Sequence, residues 1–565
     1  MLRRHVLSLC FTLGFAAVPT AFATDKVSAD AFAAAAERGE VAVIVIFGTP
    51  DPIVPEAGLS AEDRSTQRAA IAETGQAVLD SLPKTPQYAK RMVTQPMLAI
   101  PADSSTLQAL EENPFVKEVR VDGLSAPDGA GTDDPVVDGT TLASSVPVIG
   151  ADVAQAYGIR GTGITVAILD TGIQKTHPFL SGKVVSEACY STTNSVYSST
   201  TLCPGGVESS TATGSGVNCS LTIDSGCAHG THVAGIAAGE GGGSTGVTFS
   251  GVAPEAKVIA IQVFSRFDST YYCGGASTCV LSYDSDQILA LERVYELRSS
   301  YNVAAANMSL GGGRYYTYCD SDSRKPIVDS LRSSGIATVI SSGNDYYRDS
   351  VGAPGCISSA ATVGATDDSD NVASFSNIDD TVDFLAPGVT VTSSVPTLSG
   401  SGYATWNGTS MSAPHVTGVF ALFSQLDPLA SVDEKQSRLA SLAVQVDDNR
   451  TGGVQTDIDR VAVSWMGNGR CMVTGKVANR WSYTSSTPYS YVSISPEADY
   501  GTGYAYYARV PNGTSIATLA DVAKRRVGNL GHKPTVTIRG TGPCPTSGTL
   551  RYIYSADYGY LSNER

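Results

Sequence analysis

The sequence predicts an α/β protein built on a parallel sheet flanked by helices, with a small α+β module before it and a small β-rich domain after it. Three observations carry this expectation. The short, β-branched apolar runs Ile164 to Leu169 and Ile336 to Ile340 read as buried strands, and each ends in a turn bearing polar residues. Apolar residues at helical spacing follow two further turns: Val233, Ile236 and Ala237 after Gly230, and Val416, Val419, Phe420 and Phe423 after Ser410. The last hundred residues shift to a Tyr, Thr, Ser and Gly composition with alternating runs such as Tyr491 to Ile494 and Thr535 to Ile538.

The elements follow in chain order. Arg3-Arg4-His5, an apolar stretch from Val6 to Val18 and Ala21-Phe22-Ala23 make residues 1–23 a secretory signal with a small-residue cleavage site. The apolar stretch is shorter than the roughly 20 residues a membrane span needs, and no later stretch replaces it. Cys10 follows Leu9 rather than a small residue, so a lipidated N-terminus is not expected. Residues 24–122 alternate strand Val41–Phe47, a helix from about Ser65 to Leu82, a strand around Met92–Ile100, helix Ser105–Glu112 and strand Val116–Val121. Residues 123–145 form an acidic linker rich in Gly, Pro, Ser and Thr, where proteolysis is easy. Residues 146–465 are the large α/β unit, and 466–565 the β-rich domain.

Three short motifs within the large unit supply an acid, a base and a nucleophile. They are Asp170-Thr171-Gly172, His229-Gly230-Thr231-His232-Val233-Ala234-Gly235, and Gly408-Thr409-Ser410-Met411-Ser412-Ala413-Pro414-His415. Asp170 closes a strand, where open α/β sheets place their ligands. His229 and Ser410 stand at helix N-termini. A serine hydroxyl is a poor nucleophile until a base takes its proton, an imidazole titrating near neutrality is that base, and a carboxylate fixes the imidazole tautomer and stabilises the cation. The expected roles are Ser410 nucleophile, His229 general acid/base and Asp170 orienting carboxylate. His232 and His415 lie beside these residues and are expected to pack and hydrogen-bond; His177 precedes Pro178 in a turn, and no metal role is assigned to it.

These motifs, in this order and separation, resemble those of the subtilisin-like serine peptidases along the region from about Ser144 to Val463. The resemblance implies a parallel-sheet peptidase domain and peptide-bond hydrolysis through an acyl-enzyme. It also implies a fourth element, an Asn after a buried strand that donates its side-chain amide to the oxyanion; Asn344 matches. Asn307 to Gly313 resembles the edge strand that pairs with the substrate backbone, so Ser309, Leu310, Gly311 and Gly312 are expected to bind substrate. Gly352 matches the base of the specificity pocket, which implies a deep pocket for large apolar groups, while Asp345 at the rim could accept Lys or Arg. The N-terminal module resembles an inhibitory propeptide. Ser145-Val146-Pro147 resembles the start of a mature enzyme, so self-processing is expected between roughly Asp128 and Ser145.

Cysteine usage agrees with export. With Cys10 removed, ten remain, and an even number suggests five disulfides. Proximity favours Cys273–Cys279; Cys319–Cys356 would tie two cleft-flanking segments and Cys471–Cys544 the tail, while Cys189, Cys203, Cys219 and Cys227 allow three pairings. The ten lack paired Cys-x-x-Cys spacing, which argues against zinc. No cofactor is required for the chemistry; metal sites are unknown, and structural calcium stays open. A formal net charge of −16 argues against nucleic acid as a partner. The expected partners are protein or peptide substrates and the chain's own propeptide, and the expected product is a secreted, extracellular monomer. The sequons at Asn307 and Asn407 are discounted, since sugar there would block the cleft. A silent binding protein using the tyrosine-rich tail for adhesion is the rival reading, and esterase action a side activity of the same chemistry.

Overall fold

The computed structural model describes residues 25–128, 142–453, 455–463 and 466, together with the strands Arg470–Lys476, Tyr489–Ser495, Tyr506–Thr514 and Thr535–Thr541. The expectations placed on residues 1–23, on most of the linker and on Cys544 lie outside the described residues.

A ten-stranded sheet forms the frame, in the order Val444–Val446, Ile458–Arg460, Phe384–Pro387, Ala361–Thr366, Ala337–Ser341, Val303–Met308, Thr165–Asp170, Lys257–Gln262, Val184–Tyr190 and Ser209–Ser210. All pairings are parallel except those of the two outermost strands. The period-two geometry of a strand sends alternate residues to opposite faces, and here both faces are covered. Val166 and Ile168 join the core under helices His229–Ala238 and Thr409–Leu426. Ala167 and Leu169 join a second core under helices Asp284–Leu297 and Lys325–Ser333. Two-sided burial is why these strands read as continuous apolar runs.

Residues 25–122 form a four-stranded antiparallel sheet, Lys90–Arg91, Met97–Ala102, Val41–Phe47 and Val116–Val121, with three helices. One face (Val43, Val45, Leu98, Ile100) packs on its own helices. The other face (Ile44, Met92, Met97, Ala99) enters the second core of the large unit. The helix expected from about Ser65 begins at Ala61, because the Ser60 side chain accepts the Asp63 N–H at 3.1 Å and caps it.

The linker is not irregular throughout. Leu124–Pro127 is a strand and Leu142–Val148 a helix. Leu124–Pro127 is extended because it fills the gap between two edge strands, pairing with both Leu310–Tyr315 and Cys279–Tyr283. Disulfides join Cys273–Cys279 and Cys319–Cys356 as expected, and the four insertion cysteines pair as Cys189–Cys203 and Cys219–Cys227. The four C-terminal strands form one antiparallel sheet.

Candidate active site

The central strand Thr165–Asp170 delivers Asp170 at its carboxyl end, beside the helices that begin at His229 and Thr409. Asp170, His229 and Ser410 are all fully buried. His229 Nδ1 lies 2.8 Å from Asp170 Oδ1 and 3.0 Å from Oδ2, so the carboxylate holds the proton on Nδ1 and leaves Nε2 as the free base. The Thr171 N–H donates to Asp170 Oδ1 at 2.7 Å and steadies that carboxylate. The helix approaches this closely because Gly230 has no side chain: a Cβ there would lie 2.5 Å from Gly172 O and 3.0 Å from Asp170 Cβ. Among the described residues His229 Nε2 is buried without a hydrogen-bond partner.

Ser410 does not donate to that imidazole. Its Oγ donates to the backbone carbonyl of Asp128 and lies 3.3 Å from Ser309 O. The Asp128 N–H donates to Ser309 O at 3.2 Å. Upstream, Pro127 faces Leu310 and Ala126 faces Gly311 on one side, while Ser125 faces Ser282 on the other. The chain's own linker therefore occupies the channel expected to receive substrate, and Ser309, Leu310 and Gly311 are among the residues that touch it. Asn344 also stands beside the nucleophile: its Oδ1 accepts from Thr409 N–H at 2.9 Å and Thr409 Oγ1 at 3.0 Å. This leaves Asn344 Nδ2 buried and without a partner among the described residues, a donor not used by the fold.

The pocket beside Ser410 holds the Asp128 side chain, whose Oδ2 accepts from Ser341 Oγ at 2.6 Å. A Cβ on Gly311 would stand 3.2 Å from that carboxylate, so the wall is glycine where the side chain enters. A Cβ on Gly352 would stand 3.4 Å from Gly312 N, an ordinary contact. Burial above all, then Asp345, push the Asp128 carboxyl up to about 7, against the lowering effect of Ser341. Asp345 is itself tied to Asn377, whose Nδ2 donates to it at 3.0 Å.

The neighbouring histidines are scaffolding. Burial lowers His232 to about 3 and His415 to about 4, so both are neutral. His232 Nε2 meets Ala404 O at 3.0 Å, and His415 bridges Met411 O and Ser145 Oγ at 2.7 and 2.9 Å. His177 contacts Gly402 O at 2.8 Å. Asn307 is buried, with its amide on Ser309 Oγ, so it is no sugar acceptor while the domain is folded; Asn407 Oδ1 accepts the Thr390 N–H. Sequence reasoning missed Trp406, whose ring stacks at 4.4 Å on His232 and 6.3 Å on His229. It also missed Ser341 and Lys90; only Trp406, four residues before Ser410, carried a signal, an aromatic next to a catalytic-type motif. Among the described residues no cluster of three or more His, Cys, Asp or Glu is placed to hold a metal, and no helix is long and apolar enough to cross a membrane.

Comparison with known proteins agrees with this arrangement. The profile of the Subtilase family (peptidase S8) matches residues 161–458. The chain is 33% identical over 354 residues to the M-protease of Shouchella clausii, covering 62% of this chain and 74% of that protein. It is 34% identical over 296 residues to subtilisin Savinase of Lederbergia lenta, covering 52% of this chain and 89% of that protein. The crystal structure of fervidolysin from Fervidobacterium pennivorans, a keratinolytic enzyme related to subtilisin, superimposes with a TM-score of 0.52 at 21% identity over 83% of this chain and 67% of that one, a likeness of fold.

Proposed function

The chain belongs to the subtilase family and is a subtilisin-like serine endopeptidase, and from that premise we propose that Asp170, His229 and Ser410 are its catalytic triad and Asn344 its oxyanion donor. His229 Nε2 takes the Ser410 proton as Oγ adds to a substrate carbonyl, Asp170 stabilises the imidazolium, and Asn344 Nδ2 meets the oxygen that becomes negative. Collapse of the tetrahedral intermediate returns the proton to the leaving amine, and water then releases the acyl group by the same route. What supports this reading is that, among the described residues, His229 Nε2 and Asn344 Nδ2 are buried without partners, while Asp170 holds the other nitrogen of His229, Thr409 next to the serine holds Asn344, and Ser410 rests on a peptide carbonyl.

The enzyme is made as a zymogen whose residues 24–122 inhibit it, and it is exported after loss of residues 1–23. The pairing of Leu124–Pro127 with Leu310–Tyr315 supports the inhibitory role, since a second peptide cannot use the same edge. Ser309, Leu310, Gly311, Gly312 and Gly352 bind substrate, with broad specificity and a preference for large apolar residues before the cut bond. The chemistry uses no cofactor, structural calcium stays open, and the enzyme acts as a monomer. Incubating the purified, processed enzyme and its Ser410→Ala variant with a peptide library, and reading the cut bonds by mass spectrometry, tests the assignment. The wild type is expected to cut after Phe, Tyr, Leu or Met and the variant not at all; equal cutting by both would remove Ser410 from the mechanism.

A further inference from the structure

The N-terminal module reaches into the peptidase domain with one buried cation. Lys90 Nζ donates to Asp286 Oδ1 at 2.6 Å, to Ser285 Oγ at 3.0 Å and to Thr192 Oγ1. An alkylammonium carries three N–H donors and no acceptor, and here each donor finds one oxygen. The hydroxyl protons are accounted for behind them. Thr192 Oγ1 donates to Asp286 Oδ2 at 2.7 Å and Ser285 Oγ to Asp122 Oδ2 at 2.6 Å, so both hydroxyls turn lone pairs to the ammonium. The centre of the Tyr283 ring lies 5.4 Å from the same nitrogen. Asp286, Ser285, Thr192 and Tyr283 are all fully buried, and all four belong to the peptidase domain. From the module come Lys90 itself, Asp122 and the Tyr88 ring at 5.7 Å.

This pocket closes the upstream end of the channel that the linker fills. Asp128 rests its carbonyl on Ser410, Pro127 and Ala126 face Leu310 and Gly311, and Ser125 and Leu124 face Ser282 and Tyr283. The Gly123 carbonyl then accepts the Asp284 N–H at 3.0 Å, and the Asp122 carboxylate takes the Ser285 N–H and Oγ. Every residue from Asp128 back to Asp122 is thus held by the peptidase domain, and Asp122, the seventh, shares Ser285 with the ammonium. Resting on the reading above that the module leaves the finished enzyme, we propose that Asp286, Ser285 and Thr192 form an ammonium-binding pocket. Lys90 fills it in the precursor, and in the freed enzyme it takes a lysine side chain of a protein substrate, near the seventh residue before the cut bond. Two features select lysine. The three oxygens fit the three donors of a compact ammonium, whereas a guanidinium presents a planar fork. Among the described residues Lys90 is the cation paired with Asp286, so its departure leaves that carboxylate without a counter-ion, an unfavourable state that a new ammonium relieves.

Two measurements test this. In the full chain carrying Ser410→Ala, the further change Lys90→Ala hollows the pocket, and n-propylammonium chloride supplies the missing atoms of the side chain. The amine should restore the slow hydrogen exchange of strand Val41–Phe47 that Lys90→Ala loses, and sodium chloride at equal ionic strength should not. Unaltered exchange in Lys90→Ala, equal effects of the two salts, or no effect of either overturns the pocket. The processed enzyme is then given peptides alike around the cut bond, with Lys, trimethyllysine, Arg or Gln at the sixth, seventh or eighth residue before it. At one of these positions Lys should raise kcat/KM about tenfold over Gln, chiefly through KM, as a charge-assisted set of hydrogen bonds does. Trimethyllysine keeps the charge but has no N–H, so the gain should vanish with it, and it should vanish also for Lys in Asp286→Asn. Trimethyllysine or Arg matching Lys would mean only general attraction to a chain of net charge −16, and defeats the assignment. The Gln peptide separates the two levels of the argument: if the wild type leaves it uncut, the peptidase reading fails, whereas a cut Gln peptide with no gain from Lys defeats the pocket's role in choosing substrates.

Discussion

The N-terminal module and the peptidase domain are held together by different means. Residues 24–122 contain no cysteine, and their sheet completes its burial by resting Ile44, Met92, Met97 and Ala99 on the neighbouring domain. The peptidase domain covers both faces of its own sheet and is closed by the disulfides Cys189–Cys203, Cys219–Cys227, Cys273–Cys279 and Cys319–Cys356. Polar contacts follow the same division. Lys90 of the module sits buried on Asp286 at 2.6 Å and on Ser285 at 3.0 Å, and Glu292 accepts the N–H groups of Val93 and Thr94 at 2.9 and 2.6 Å. Burial raises the carboxyls of Asp286 and Glu292, so this contact surface is sensitive to pH. The difference teaches that the module leans on its neighbour to complete its burial, whereas the peptidase domain closes its own core.

The sharpest way to separate chemistry from this architecture is Asn344→Ala. Turnover is expected to fall by roughly 10²–10³-fold, a size known for the corresponding donor in a subtilisin and carried over here, with thermal stability and KM little changed. Stopped activity together with a lowered melting temperature would instead make Asn344 a structural residue.

Lys90→Met attacks the module's side of the comparison. It leaves Asp286 buried without its cation, and losing one partner of such a pair costs about 3–5 kcal/mol. Hydrogen exchange of the module's strands in the full chain should speed up accordingly at pH 8, and progressively less as pH is lowered, since burial makes the Asp286 carboxyl readier to take a proton. The double variant Lys90→Met with Asp286→Leu should recover most of the loss. Unchanged exchange in the single variant would mean that the apolar face alone holds the module.

The smallest effect is expected from Cys319→Ser with Cys356→Ser. Opening this 37-residue separation should lower the stability of the peptidase domain by about 2–4 kcal/mol, read as a lower melting temperature in the processed enzyme. Exchange within the module should not move. A joint shift of both regions would break the contrast drawn above.

Much of this was legible in the sequence where local chemistry decides the outcome. Thr165–Asp170 and Ala337–Ser341 announced themselves because two-sided burial demands unbroken apolar runs, and Ser410 because a helical stripe follows it. Leu124–Pro127 was not legible as a strand: it is four residues long and ends in Pro, and its partners lie far along the chain. Pairing with remote edges, not propensity, makes it extended. The pairings of Cys189 and Cys219 depended likewise on a loop path that composition does not encode. Ser341, Trp406 and Lys90 acquire meaning only from neighbours brought in by the fold.

The module's outer face has a colloidal consequence. While Ile44, Met92, Met97 and Ala99 stay in place, the core they share with the peptidase domain is dry on that side. On the removal of the module proposed above, the part of that core it covers should meet water as an apolar strip that the precursor keeps covered. The freed enzyme should therefore bind hydrophobic dyes more strongly than the precursor and salt out at a lower sulfate concentration, since excluded salts strengthen contact between apolar surfaces. Maturation would then change how the protein mixes with its surroundings as well as what it cuts.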